Sequence, residues 1–533
     1  MMDQMTGSTP RYDAIILGGG LAGLCLARQL TQERPDIRLL VLEKREHPVP
    51  EAAFKVGEST VEIAGHYFGQ VLRLRQHMDE CQLPKLGIRY FFDDGANRDL
   101  ARRYEVGPVD FSFVGSYQID RGRLENFLFA DNRTRGIDVR DRARVREVTF
   151  GDPHHRVTFE ERGVEYAAEA RWVVDASGRG SLLKRKMGLQ KPVGHLTNAT
   201  WWRVSARVKL DDWSDERAWK SHVPNGCRWL STNHLMGRGY WVWLIPLASD
   251  STSFGIVADT HLHPYPTLSR LDKSLEWLRK HEPQCADVMD GYTDKVEDFL
   301  ALNHYAHGCE RVFSGDRWCM VGESGVFTDP FYSPGSDFIG IGNEMVCEMI
   351  QRDLDGEDIR ADAESFNVLF LRLFEAYLKV YELQYPMMGN ARVMTRKVAW
   401  DNGCYWGITA LLFFHRKYRD IEYLRSLDAF MRRFFLLHTR MQRFLREWDE
   451  RDQTPLGEGF LNILDIDFLG RLQRSLTLPL DDDTLRRQLH ENLDLLDRFA
   501  RALMAQSQQP VHAADPLVIP DEAALSSLAG ASA

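Results

Sequence analysis

Tyr12-Asp-Ala-Ile-Ile-Leu17-Gly18-Gly19-Gly20-Leu21-Ala22-Gly23 is the stretch on which the fold turns. It reads as an apolar run, a glycine turn and the opening of a helical pattern that continues to Leu30. Arg38 to Leu42 is a second apolar run, closed by Glu43. Strand, helix and strand in that order make a βαβ unit, which implies a parallel sheet. The glycines fit G-x-G-x-x-G where each has a task. Gly18 permits the tight turn, Gly20 lets a pyrophosphate approach the backbone, and Gly23 lets helix and strand pack closely. The helix N-terminus then presents free N–H groups to phosphate. Glu43, about 20 residues on, is placed to accept from ribose hydroxyls. Ala22 and Lys44 complete the expected dinucleotide contacts in this segment.

Around this unit the chain runs to 533 residues, too many for one ordinary core, so two or three packed units are expected. With 44% hydrophobic and 27% charged residues, its composition is that of a soluble globular protein. A net charge of -10 excludes a phosphate-tracking nucleic-acid surface, which needs a basic footprint. No secretory signal opens the chain. The longest later apolar run, Gly407 to Phe414, is far short of the roughly 20 residues of a membrane helix. The 8 cysteines are scattered without a C-x-x-C pair, which fits a reducing cytoplasm. His154-His155, His261 with His263, and His304 with His307 lack a cysteine or carboxylate at ligand spacing. No metal site is expected, and these histidines read as surface or turn residues.

The texture changes along the chain. Trp201 to Val257 carries short alternating runs, Ala206-Arg-Val-Lys-Leu210 and Tyr240-Trp-Val-Trp-Leu-Ile245, which predict antiparallel strands. Ala363 to Tyr385, Ile421 to Trp448 and Thr484 to Ala505 predict long helices, the last with Asp481-Asp482-Asp483 as an acidic cap. The organisation expected is a discontinuous core over 1–350, with a substrate-side antiparallel sheet around 85–120 and 195–260. A helical, substrate-covering region follows over 351–506, and then a loose tail over 507–533.

Two later segments bear on which dinucleotide is bound. Arg171-Trp-Val-Val-Asp175-Ala-Ser-Gly178 is an apolar strand running into an acid and a glycine turn. Arg317-Trp-Cys-Met-Val-Gly322-Glu323-Ser324 is another strand, ending in Gly-Glu. Both resemble segments of the FAD-dependent aromatic hydroxylases and halogenases, as does Ile119-Asp-Arg121-Gly-Arg-Leu124, whose arginine opens a helix near the flavin. The resemblance implies FAD, with Arg121, Asp175, Gly322 and Glu323 near it. A second G-x-G-x-x-G for NAD(P)H is absent from the sequence, so a separate NAD(P)H flavin reductase is expected to supply the flavin as FADH2.

Trp241-Val-Trp243-Leu-Ile245-Pro246 matches W-x-W-x-I-P, and Phe327-Thr-Asp-Pro330-Phe-Tyr-Ser333-Pro-Gly335 matches F-x-x-P-x-x-S-x-G. Val56-Gly57-Glu58-Ser59-Thr60 resembles the strap between flavin and substrate sites, and Pro84-Lys85-Leu-Gly-Ile-Arg-Tyr90 follows it at the family's spacing for an essential lysine. On these motifs the chain is identified as a member of the flavin-dependent halogenases. It resembles the phenol and pyrrole types more than the tryptophan halogenases. The resemblance implies an α/β fold: a Rossmann-like, aromatic-hydroxylase-like FAD-binding domain, an antiparallel sheet layer and a C-terminal helical region. It further implies that reduced FAD, O2 and chloride or bromide give hypohalous acid, which passes along a tunnel to Lys85 and on to an electron-rich aromatic substrate in secondary-metabolite biosynthesis. Glu58 and Ser59 of the strap and Ser336 would contact the flavin. Ser333, Gly335 and Ser336 would hold the halide, and Trp241, Trp243 and Pro246 would line the tunnel.

Two positions depart from the family. Tryptophan halogenases carry a glutamate before the motif serine, where this chain has Tyr332. The absence of that carboxylate argues for a phenolic ring, with a pyrrole as second choice; Tyr332 would either orient the substrate or fill space. Pro334 has no N–H to offer a halide. Arg89, four residues from Lys85, would lower the lysine pKa if the two are close. Taken alone, Trp241 and Trp243 also fit a packed strand face, and Lys85 a surface lysine. An FAD-dependent aromatic hydroxylase of the same fold is the alternative activity. Arg432, Arg433, Arg440, Arg443 and Arg446 among Phe434, Phe435 and Phe444 form either a solvated helix face or a dock for an acidic carrier protein.

Overall fold

The computed structural model describes residues 9–52 and 56–508. Arg11–Leu17 is the middle strand of a parallel sheet, lying between Leu39–Leu42 and Val164–Asp175. Leu17 sits level with Leu42 on one side and Asp175 on the other. Three strand ends therefore share one rim, and a parallel sheet opens its ligand crevice at that carboxyl edge. Trp318–Met320 extends the sheet beyond Val164–Asp175, and Asp138–Arg140 extends it beyond Leu39–Leu42. Helix Leu21–Glu33 leaves from the rim and packs against helices Arg121–Thr134 and Gly335–Leu354.

A second eight-stranded sheet is ordered Val296–Asn303, Thr197–Val204, Thr252–Asp259, Tyr240–Pro246, Thr232–Gly237, Ile88–Phe92, Tyr104–Val106, Gly459–Leu461. It is antiparallel except where Thr232–Gly237 meets Ile88–Phe92 and where Tyr104–Val106 meets Gly459–Leu461. Alternation sorts its faces: Trp201, Trp241, Trp243 and Ile245 join the main core, whereas Trp202, Val242, Leu244 and Phe254 join a second apolar cluster. The last strand, from the helical third of the chain, stitches that region to the sheet.

Four expectations change. Ala206 to Leu210 is not a strand, because Thr252 Oγ1 takes its backbone groups, donating to Ala206 O and accepting from Val208 N. Ile421 to Trp448 is two helices, Ile421–Ser426 and Asp428–Arg451, broken at Leu427. Ala363 to Tyr385 is the helix Arg360–Tyr381, followed by a separate 3-10 turn at Tyr385–Met387. His155 and His263 are buried rather than superficial: the first bonds Arg317 O, the second bonds Arg238 O and accepts from Trp277 Nε1. The last long helix, Asp482–Gln506, starts where the acidic cap predicts, with Asp481 accepting from Thr484 N at 2.8 Å. Residues 1–8, and of the expected tail all beyond 508, lie outside the described residues. No described helix is long and apolar enough to cross a membrane.

Candidate active site

A cleft of about 530 Å³ opens at the shared rim, between the parallel sheet and the inner face of the second sheet. Gly18 turns the chain there at φ +123°, and a Cβ on it would lie 2.4 Å from Ala176 O. A Cβ on Gly23 would lie 2.1 Å from Gly18 O, so Gly23 supports the turn from behind. Gly20 is different: it lines the cleft with no atom within 4 Å of where a Cβ would stand. No side chain caps the helix that begins after it. Open space before an uncapped helix N-terminus suits a pyrophosphate. Ala22, Glu43, Lys44, Glu58, Ser59, Arg121, Gly322 and Glu323 also line the cleft. Glu43 is already engaged, accepting from Gly19 N and Arg45 N. Arg121 binds Val56 O at 2.7 Å and Glu125 at 3.0 Å but keeps a buried Nε without a partner. The donor set, the open glycine and this orphaned N–H fit FAD. Asp175 does not line the cleft; it accepts from Ser177 N and Leu183 N and so shapes the turn beneath it.

Trp241 and Trp243 line the same cleft and are almost fully buried, so packing and site-lining coincide in them. Trp243 Nε1 donates to Ser253 Oγ, and Trp241 Nε1 donates to Tyr385 Oη at 2.9 Å. Tyr385 and Tyr305 in turn donate to Asp329, which also bonds His195 Nε2 at 2.7 Å. This buried network at the cleft was not anticipated, although an acid inside the apolar run Phe327-Thr-Asp329-Pro330 was a signal. Pro246 ends its strand outside the lining, where Ile245 takes the place nearer the cleft.

A second, smaller cavity of about 80 Å³ lies beyond a wall built from two segments. Ser59 and Ser333 face the large cleft, whereas Glu62, Pro334 and Asp337 face the small one. Lys85 is buried in that wall. Its Nζ donates to Ser59 Oγ at 2.8 Å and Thr60 O at 2.7 Å, and Ser333 Oγ donates to Ser59 Oγ. Burial lowers the Lys85 pKa to about 7, against the opposing pull of Glu62 and Asp337. Arg89 plays no part in this, contrary to expectation, because it is turned away into ion pairing with Glu105 and bonding to Pro108 O. Burial raises Asp337 to about 8, moderated by hydrogen bonds from Tyr405 and Ala64 N. Gly335 and Ser336 line the large cleft at the uncapped start of helix Gly335–Leu354, with Pro334 before the first turn.

Tyr332 lines the small cavity and donates to Asp401 at 2.9 Å. Asp401 also pairs with Lys397 at 2.8 Å and accepts from Gln442. The cavity therefore does not lack a carboxylate, as the Tyr332 position had suggested: Glu62, Asp337 and Asp401 all line it. Sequence reasoning missed the three because they come from the strap's extension, a helix start and the remote helix Ala391–Cys404. The arginines of helix Asp428–Arg451 lie mostly on its exposed side, with Arg432, Arg433 and Arg443 paired to Asp428, Asp494 and Glu447.

Residues 11–251 match the family model described as FAD binding domain. A flavin-dependent halogenase of Dictyostelium discoideum, chlA, is 27% identical over 439 residues, covering 74% of this chain and 70% of that protein. A 1H-pyrrole-2-carbonyl-(peptidyl-carrier protein) chlorinase of Pseudomonas fluorescens is 25% identical, covering 61% and 72%. The crystal structure of halogenase PltM with phloroglucinol and FAD superposes with a TM-score of 0.68 at 16% identity, covering 90% of this chain and 99% of that one. The fold and the cleft thus define an FAD-binding oxidoreductase. Within that class the relatives that the chain resembles are flavin-dependent halogenases.

Proposed function

We propose that the chain is the halogenase of a two-component system that uses FADH2, O2 and chloride or bromide to halogenate an electron-rich aromatic ring, phenolic in the first place and pyrrolic in the second. Reduced FAD in the cleft supplies, with O2 and halide, hypohalous acid. Gly18, Gly20, Ala22 and the helix start hold the pyrophosphate. Glu43, Lys44, Arg121, Gly322 and Glu323 surround the rest of the cofactor, and Glu58, Ser59 and Ser336 lie on its inner side. The halide sits near Ser333, Gly335 and Ser336, where an uncapped helix start favours an anion. Trp241 and Trp243 crowd the cleft so that the aromatic substrate stays out of it.

Lys85 carries the halogen to the substrate. One observation supports this above the others: its amine is buried in the wall between a large cleft and a small cavity. With a pKa near 7, a good fraction of the amine is neutral at neutral pH, as a nucleophile or a hydrogen-bond partner for hypohalous acid requires. Two of the relatives are named for pyrrolyl carrier-protein conjugates, so a carrier-bound substrate is the second form to test. Lys85→Ala should keep FAD binding and lose halogenated product by roughly 10²–10⁴-fold, the range of a lost catalytic group. Product analysis by mass spectrometry with a flavin reductase, NADH and halide checks it. Hydroxylated product, with or without halide, would assign the aromatic hydroxylase activity instead.

A further inference from the structure

The small cavity is walled by Tyr332, Tyr377, Tyr381, Leu373 and Val380, which suits the faces of an aromatic ring. At about 80 Å³ it is several times the roughly 10–15 Å³ a water needs, and far smaller than the flavin cleft. Its polar lining is one-sided. Glu62, Asp337 and Asp401 present carboxyl groups, and no arginine or lysine lines it. The nearby cations are engaged: Lys397 is paired with Asp401, and Lys85, buried in the wall, bonds Ser59 and Thr60. Two further groups are buried and unpartnered, the Tyr381 hydroxyl and His438 Nδ1. Burial holds His438 down at about 4, so it too is uncharged at neutral pH.

Resting on the halogenase reading above, we infer that this cavity seats a single aromatic ring that donates hydrogen bonds and carries no acid group, with Glu62, Asp337 and Asp401 as the selecting side chains. Ring hydroxyls or a pyrrole N–H find their acceptors among Glu62, Asp337 and Asp401. A ring carboxylate would leave water for a site that no arginine or lysine lines, beside carboxyl groups that already accept from Gln473, Ala64 N, Tyr405, Tyr332 and Gln442. Burying an unpaired charge is strongly unfavourable, and a site that leaves a ligand's polar group unpaired discriminates by large factors. Selection here works by rejection as much as by attraction.

The test is calorimetric binding to the FAD-loaded protein at pH 7.5 without halide, so that no turnover intervenes. Three ligands share one ring: resorcinol, 3,5-dihydroxybenzamide and 3,5-dihydroxybenzoate. The benzoate should bind at least tenfold more weakly than the amide, which has the same shape without the charge. Glu62→Gln and Glu62→Ala should each narrow that ratio while leaving FAD affinity unchanged, and two variants guard against one that fails to fold. Equal affinity for acid and amide overturns the inference, as does failure of all three rings to bind. Binding with the stated selectivity but no halogenated product in a turnover assay would retain this inference and remove the halogenase reading of the site.

Discussion

An amine that is to carry halogen has to be neutral, and burial is what makes Lys85 so. Its pKa near 7 sets the expected pH dependence: halogenation should rise with pH along a limb centred near 7 as the ammonium loses its proton. Glu62 pulls that value upward, so Glu62→Gln should move the limb to lower pH, read as kcat against pH at saturating FADH2. An unmoved limb would detach the titration from Lys85. The same burial costs stability. Between about 7 and about 10 the unfolded lysine holds a proton that the folded one does not. Wild-type stability should therefore climb with pH over that window relative to Lys85→Met, by at most about 1.4 kcal/mol per pH unit. Urea melts of the two proteins at pH 7 and pH 10 read the difference directly. If the lysine were an ordinary surface residue, the two curves would run parallel.

At the scale of elements, what was legible from sequence was local. The strand, glycine turn and helix of residues 11–33 announce themselves because turn geometry and helix periodicity are written in adjacent residues. Two glycines in that turn make separable predictions. Gly18→Ala puts a Cβ against Ala176 O at a φ only glycine adopts easily, so it should lower the Tm and lose FAD together. Gly20→Ala meets no protein atom, so its Tm without cofactor should stay put while FAD affinity falls at least tenfold, as measured by flavin fluorescence. A Gly20→Ala protein that binds FAD normally would place the pyrophosphate elsewhere. What was not legible depended on distant partners. Ala206 to Leu210 alternates like a strand, yet a single threonine hydroxyl from the neighbouring strand takes its backbone groups. Asp401, Tyr381 and His438 sit in helices whose patterns read as ordinary packing, and only the tertiary fold turns them onto one small cavity. Asp337 was two residues from a motif already recognised, and it went unremarked because nothing in the motif demands an acid there.

Across the whole molecule, the two sheets divide the labour. The parallel sheet ends in the rim that suits a dinucleotide, and the inner face of the second sheet closes the cleft with Trp201, Trp241 and Trp243. The helical third, tied to the second sheet by Gly459–Leu461, supplies most of the small cavity through helices Arg360–Tyr381, Ala391–Cys404 and Asp428–Arg451. Lys85 lies between these halves, so on the proposed reading chemistry in the cleft would reach a ring in the cavity only through the wall. Such a plan has consequences for the electron supply. Among the described residues there is one glycine turn of the dinucleotide type, and the parallel neighbours in the second sheet, Ile88–Phe92 with Thr232–Gly237 and Tyr104–Val106 with Gly459–Leu461, are far apart in sequence. On the proposed two-component reading the flavin arrives already reduced. The purified chain with FAD and halide should oxidise NADPH no faster than free FAD does. Adding a flavin reductase, or FAD reduced by light, should start halogenation, followed as absorbance at 340 nm beside halogenated product. NADPH consumption by the chain alone at the rate of turnover would make it a single-component enzyme and shift the assignment toward the hydroxylases.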